Sequence, residues 1–240
     1  MFHNKKFGMV VDVIDKTQLP QTIVYLKMHQ CYSDEPIINT PLDEAKCGDI
    51  IVKRLLIGNR GHYSPLEGAK VTLSLQYIPH SVLQQLLRSR IGVSPSVQSF
   101  RYTSKQFQKY KSGVLPLEHL IYVRPPGIYH DRDSEYEYTD DKRVEDLSLA
   151  KFTLNHVIKS LKQGMPPEQA RSQLLDYRQH CAITLNARSL MSLLDRRSKK
   201  DAQIEIQILA SLIMEFFKLW MPEVALWYEK NRYGKAMLSP

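Results

Sequence analysis

Along the chain, Val71, Leu73, Leu75 and Tyr77 alternate with Thr72, Ser74 and Gln76. A period of two predicts a strand with one buried face. The short β-branched run Met9 to Ile14 predicts another strand, followed by a helix over Thr22 to His29 after Pro20. Asp34 to Pro41 reads as a loop. Cys47 to Ile57 reads as a buried helix with Lys53 and Arg54 facing out, broken by Gly58-Asn59-Arg60-Gly61. Pro79 opens a helix from His80 to about Arg90. The turn Gly92 to Ser96 is expected to be irregular, because Pro95 fixes φ and removes a donor. Glu118 to Val123 reads as a strand, and Tyr129 to Asp141 as an exposed loop or hairpin.

From Val144 the pattern changes period. Val144, Leu147, Phe152, Leu154, Val157, Ile158 and Leu161 recur at helical spacing up to Gly164, a C-cap. Pro166-Pro167-Glu168 starts a second helix, and Cys181 to Leu185 is a short strand. The helix from Ala187 places Arg188, Ser192 and Asp195 on one side and ends at Arg197. A closing helix runs from Ala202 to Lys230 with a break at Pro222, and its apolar positions from Ile206 to Trp220 belong to a core or a subunit interface. Strands and helices in this mixture predict the α+β class, in one domain over residues 1–240.

Composition narrows the function classes. No run reaches the roughly 18 apolar residues of a membrane span, and the N-terminus lacks the apolar region of a signal peptide, which points to the cytoplasm. Cys31, Cys47 and Cys181 are odd in number and widely spaced, against both a disulfide framework and a zinc site. Thirty-three Lys and Arg against 25 Asp and Glu give a formal charge of +8, so an anionic partner is expected. A nucleic-acid binder tends to show a continuous basic stripe with interleaved aromatics; a nucleotide enzyme shows a few clustered arginines. Here the basic residues are spread, apart from Arg196-Arg197-Ser198-Lys199-Lys200.

The densest candidate chemistry lies in Gln84 to Tyr102. Arg88, Arg90 and Arg101, with Gln85, Gln98, Ser94, Ser96 and Ser99, offer fixed-charge planar donors among small hydroxyls, suited to phosphates and a flat heterocycle. A solvated helix end running into a polar loop would look the same. A second candidate is His62-Tyr63-Ser64-Pro65-Leu66-Glu67, which also reads as a helix start with Ser64 at the N-cap and Glu67 closing a capping box.

Arg88-Ser89-Arg90, then Ser99, Arg101 and Tyr102, resembles the signature of flavin-dependent thymidylate synthases: Arg-His-Arg, seven residues, Ser, then Arg-Tyr. Two departures stand out. Ser89 replaces the signature His, and eight residues separate Arg90 from Ser99. His62 to Glu67 resembles the family's His-x-Thr-Pro-x-Glu segment. Asn186-Ala187-Arg188-Ser189-Leu190-Met191, continued by Arg197 and Ala202-Gln203-Ile204-Glu205-Ile206, resembles its second hallmark, and the Arg178-Gln179-His180 before it is similar to the branch of cyanobacteria and their phages.

The resemblance implies a mixed central sheet flanked by long helices, a homotetramer whose sites draw on several subunits, and synthesis of dTMP from dUMP. Methylenetetrahydrofolate would give the carbon, and FAD reduced by NADPH would carry the hydride. It implies no nucleic-acid or membrane partner, and action in the cytoplasm, or the host's cytoplasm for a phage-encoded chain. It assigns Ser64, Glu67, Arg88, Ser89, Arg90, Ile91, Asn186, Arg188 and Ser192 to FAD. Gln85, Arg88, Gln98, Ser99, Phe100, Arg101, Arg171 and Arg197 would hold dUMP, folate would be the second small-molecule substrate, and Arg197, Ser99 and His62 would be catalytic, with no metal. A homologue that has lost catalysis, or a basic nucleic-acid-binding protein, remains an alternative reading of the same residues.

Overall fold

A computed structural model describes residues 1–37, 42–58, 61–130 and 133–235. Strands β1 (Phe2–Asn4), β2 (Met9–Lys16), β3 (Lys70–Pro79), β4 (Val93–Val97) and β7 (Arg178–Asn186) form one sheet in the order β1-β2-β3-β7-β4. A separate hairpin pairs β5 (Gly127–His130) with β6 (Glu135–Tyr138). Every ladder of the main sheet runs antiparallel, so the sheet is not the mixed one expected. The alternation read in β3 is real: Val71, Leu73 and Leu75 are buried, and Thr72 and Ser74 are half-buried.

Around the sheet pack α1 (Pro20–Gln30), α2 (Glu44–Ile51), α3 (His80–Leu86), α4 (Phe100–Thr103), α5 (Gln106–Lys111), α6 (Asp140–Lys162), α7 (Pro167–Ala170), α8 (Ala187–Arg197), α9 (Ile204–Trp220) and α10 (Pro222–Asn231). One core cluster joins β2, β3 and β7 to α8, α9 and α10 through residues such as Leu73, Leu190, Ile213 and Phe217. A smaller one lies under α6, where Leu154 and Ile158 meet Phe100, Phe107 and Tyr177. No helix among the described residues is long and apolar enough to cross a membrane.

Several expectations are corrected. The helix after Pro79 stops at Leu86, so Arg88 to Arg90 lie on the connection to β4 and not on a helix. Of Gly92 to Ser96 only Gly92 lies in a turn: Pro95 sits in β4, an edge strand bonded only to β7, where a missing N–H costs nothing on the open side. Glu118 to Val123 is no strand but a 3-10 turn, Leu117–His119, and one bridge between Ile121 and Tyr177. The helix after Pro166 lasts one turn before a 3-10 turn at Arg171–Gln173. α2 begins at Glu44, capped by Asp43, and passes into a π-helical turn over Val52–Leu56. α6 begins at Asp140, capped by Thr139, earlier than its apolar pattern shows. The closing helix breaks at Met221, as Pro222 predicts. Positions 38–41, 59 and 60, in the loop and the break read above, lie outside the described residues.

Candidate active site

β7 ends at Asn186, whose side-chain oxygen accepts from Ser189 N at 2.8 Å and so caps α8. The connection before β4 lies flat on this helix start. Ser189 Oγ donates to the Ile91 carbonyl at 2.8 Å, and Gly92 adopts φ +66°. A Cβ at Gly92 would stand 2.2 Å from Ser189 Oγ and 2.7 Å from Asn186 Nδ2, so only glycine permits both the backbone conformation and the approach. A cavity of about 360 Å³ results, lined by Glu67, Ile91, Asn186, Arg188 and Ser192 together with Gly92 and Ser189. Arg188 Nη1 donates to Glu67 Oε1 at 2.8 Å across it, and both side chains are close to half exposed.

The other end of α8 carries a second group. Arg196 donates from Nη2 to the buried Ser89 hydroxyl at 3.1 Å, and from Nε to the Ser192 carbonyl at 3.2 Å. Arg197 is half-buried and donates to the Gln85 carbonyl, while its Nε is buried without a hydrogen-bond partner among the described residues. Burial, then the neighbouring charges of Arg196 and Arg88, push its pKa down. Gln85 in turn donates to Gln203 Oε1 at 2.5 Å. Among the described residues this is a cluster of cations and amides with no carboxylate in ion-pair contact with Arg197.

A third group is placed elsewhere. Arg101 approaches Glu168 at 4.0 Å, and Arg171 lines a cavity with His80, Ser81, Gln84, Asp176 and Tyr177. Ser99 is the exposed N-cap of α4. Phe100 is buried against Phe107 and Tyr177.

The chain matches the model of one protein family, described as thymidylate synthase complementing protein, over residues 12–223. It is 28% identical over 250 residues to a flavin-dependent thymidylate synthase of Haloarcula marismortui, covering 97% of this chain and 100% of that one. It is 30% identical over 155 residues to that of Helicobacter pylori, covering 64% of this chain and 70% of the relative. The chain belongs to this family. In fold it is similar to the UMP/dUMP methylase PolB of Streptomyces cacaoi bound with 5-Br dUMP (TM-score 0.73, 20% identity, 98% of this chain and 99% of that one). It is also similar to the Helicobacter pylori thymidylate synthase X solved with FAD and dUMP (TM-score 0.66, 21% identity, 90% and 99%).

The flavin-dependent thymidylate synthase fold thus brings together Glu67, Ile91, Asn186, Arg188 and Ser192 at one cavity, and Gln85, Ser89 and Arg197 at the far end of α8. Other assigned residues lie apart. Gln98 is used inside the sheet: its Oε1 accepts from His180 N at 3.1 Å and its carbonyl accepts from Gln179 Nε2 at 2.9 Å. His62 faces a cleft with Tyr25, Met28 and His29, its Nε2 3.4 Å from Cys31 Sγ. Arg90 and Ser64 are exposed, and Arg88, also exposed, stays close enough to act on Arg197. Ser64 is no N-cap, because Tyr63 holds that position and makes no side-chain cap. Asp195, one turn on from Arg188 and Ser192 on the same side of α8, is buried against Tyr228 and Arg232.

Sequence reasoning missed Ser189, Arg196 and Gln203 as site residues. Gln203 lay inside the second hallmark without a role, and Arg196 was merged with the solvated run ending at Lys200. A glycine directly after Ile91 was the available signal for the close backbone approach to α8.

Proposed function

We propose that this chain, as one functional unit over residues 1–240 acting in the cytoplasm, makes dTMP from dUMP with methylenetetrahydrofolate as carbon donor, holding FAD by Glu67, Ile91, Asn186, Arg188 and Ser192. The observation that carries this assignment is the convergence of these five residues, from three separate stretches of sequence, on one cavity. The residues fit the cofactor. A guanidinium, an amide and a hydroxyl suit an anionic dinucleotide, and the glycine-tight Ile91-Gly92 backbone leaves room beside them.

FAD, reduced by NADPH, supplies the hydride; the protein supplies binding, orientation and electrostatics. Arg197, charged and short of anionic partners, holds the pyrimidine ring of dUMP in its electron-rich form. Gln85, fixed by Gln203, sits beside it to orient the base, with Arg88 close enough in charge to help hold the phosphate. The cavity of about 360 Å³ takes only part of a dinucleotide, and Arg101 and Arg171 stand in a different group from Arg197. Both facts support a site completed by further copies of the chain, as in a homotetramer.

The test is the visible spectrum of the purified protein, joined to product analysis with dUMP, methylenetetrahydrofolate and NADPH. Flavin bands close to one per chain and dTMP formation are expected, with Arg188→Ala weakening FAD by about tenfold or more. A colourless protein that FAD does not reconstitute would overturn the reading.

A further inference from the structure

On the far side of the sheet order from β4, the β1 to β2 turn and the end of β3 enclose a cavity of about 410 Å³. None of the residues assigned to FAD or dUMP lines it. Its walls carry four permanent cations, Lys5, Lys6, Arg143 and Arg178, and the imidazoles of His3 and His119, against one carboxylate, Glu118. That carboxylate is already engaged by Arg143.

Arg178 is the decisive group. It is 9% exposed, its Nη2 donates to the Phe7 carbonyl at 3.0 Å, and its Nη1 donates to the Tyr77 carbonyl. Its Nε is buried without a partner, and it forms no ion pair among the described residues. The guanidinium also lies over the Tyr122 ring, 5.0 Å from its centroid, and Glu118 and Asp176 act on it from beyond ion-pair distance. A buried charge is thus held by two neutral carbonyls and an aromatic face, with no carboxylate in contact among the described residues.

The backbone is arranged to create this situation. The ladder between β3 and β7 shifts register between Leu75 and Ile78, and Tyr77 takes φ +58°, a conformation that bulky residues rarely adopt. That bulge aims the Tyr77 carbonyl at Arg178 and packs its ring 4.9 Å from those of His119 and His180. Gly8, at φ +67°, brings the β1 to β2 turn so close that a Cβ there would lie 3.1 Å from Arg178 Nη2. Backbone conformations of this cost persist where the surroundings hold them, commonly at binding sites.

We propose that this cavity binds a phosphate-bearing small anion, contacted by Lys5, Lys6 and His119 over the charge of Arg178, at a site separate from the flavin and dUMP residues. The phosphate can arrive as the free ion or on a nucleotide, and 410 Å³ admits either.

Calorimetric titration of the enzyme saturated with FAD and dUMP tests this, using inorganic phosphate in one arm and ATP in the other. Flavin absorbance recorded on the same samples shows separately whether the cofactor assignment holds. Saturable binding of at least one probe is expected, weakened about tenfold or more in Lys5→Gln/Lys6→Gln, whose side chains are exposed and support no core. Tighter binding of ATP than of phosphate identifies a nucleotide as the ligand, and equal or weaker binding identifies the free ion. Affinity unchanged in the double variant, or no binding of either probe at millimolar concentration, overturns the proposal.

Discussion

The Ser89 hydroxyl, 2% exposed, accepts a hydrogen bond from Arg196 Nη2 at 3.1 Å. Ser89 stands where the family signature has histidine, so at this position the chain pairs a small hydroxyl with a guanidinium reaching in from α8. Arg196 also bonds the Ser192 carbonyl and approaches Ser192 Oγ at 3.5 Å, which links the signature histidine's position to a residue of the cavity proposed for FAD. The pair acts as a unit.

Restoring the signature histidine is therefore not neutral, although a serine assisted by water would have allowed it. Ser89→His must place a ring in a closed space and displace Arg196, at a cost of about 1–3 kcal/mol. In an Arg196→Ala background the same substitution should cost measurably less, because the guanidinium no longer competes for the volume. Thermal or urea unfolding of the two single variants and the double variant checks this. Strictly additive losses would show that Ser89 and Arg196 do not share the space.

What could be read from the sequence follows the range of the interactions. The strand Val71 to Tyr77, the break at Pro222 and the helix from Ala187 are written in local period and local caps, and they are present. Pro95 misled because a proline excludes a central strand but not an edge, and edge position is a property of the whole sheet. Glu118 to Val123 has strand-like composition, yet its backbone bonds to Asp176 and Arg178 make only one isolated bridge, Ile121 to Tyr177, so no ladder forms. In the site, Arg188 and Asn186 were legible from their motif. Arg196 was not, since its partner Ser89 lies 107 positions away and its own neighbours read as solvated charge.

Asp195 and Arg232 form an ion pair at 2.8 Å with side chains 1% and 6% exposed, tying α8 to the end of α10. Tyr228 completes it, donating to Asp195 Oδ1 at 2.8 Å, and its hydroxyl pKa is pushed up by burial and by the carboxylate. Removing one charge strands the other, so Asp195→Asn should destabilise the fold by about 3–5 kcal/mol. Replacing both, as in Asp195→Leu/Arg232→Leu, should recover much of that loss, since Tyr228 still reaches the Met191 carbonyl. Chemical denaturation of the single and double variants measures it. A double variant no more stable than Asp195→Asn would refute the assignment.

His180 gives the fold an acid sensitivity. Its Nδ1 accepts from Tyr77 N at 3.3 Å, which requires the neutral ring, and burial lowers its pKa from 6.5. The unfolded chain therefore binds a proton that the folded chain refuses. Stability from this group is complete above pH 6.5 and declines as the pH falls from there through the folded pKa, with a slope of at most about 1.4 kcal/mol per unit. Unfolding midpoints of wild type and His180→Gln between pH 5 and about 7.5 should converge toward the acid end. Parallel curves would mean that His180 does not contribute to the pH dependence.

A substitution at Arg197 should separate cofactor binding from catalysis. Its guanidinium is held by the Gln85 carbonyl, lies close to the charges of Arg196 and Arg88, and keeps Nε buried and unpartnered among the described residues. Burial and two like charges push its pKa down from 12.5, which an arginine tolerates while remaining charged. Lysine starts near 10.4, so in the same place it is driven toward the working range, and it also lacks the planar fork that can face a ring edge. Arg197→Lys should therefore retain FAD, because the cavity proposed for FAD lies at the other end of α8, yet lose about tenfold or more in dTMP formation at saturating dUMP. The residual activity should rise as pH falls and the amine regains its proton, the opposite of what loss of a general base would give. Steady-state rates across pH, with flavin content recorded for each sample, test both halves of the claim. Near-wild-type turnover in this variant would return Arg197 to the solvated run that continues through Lys199 and Lys200.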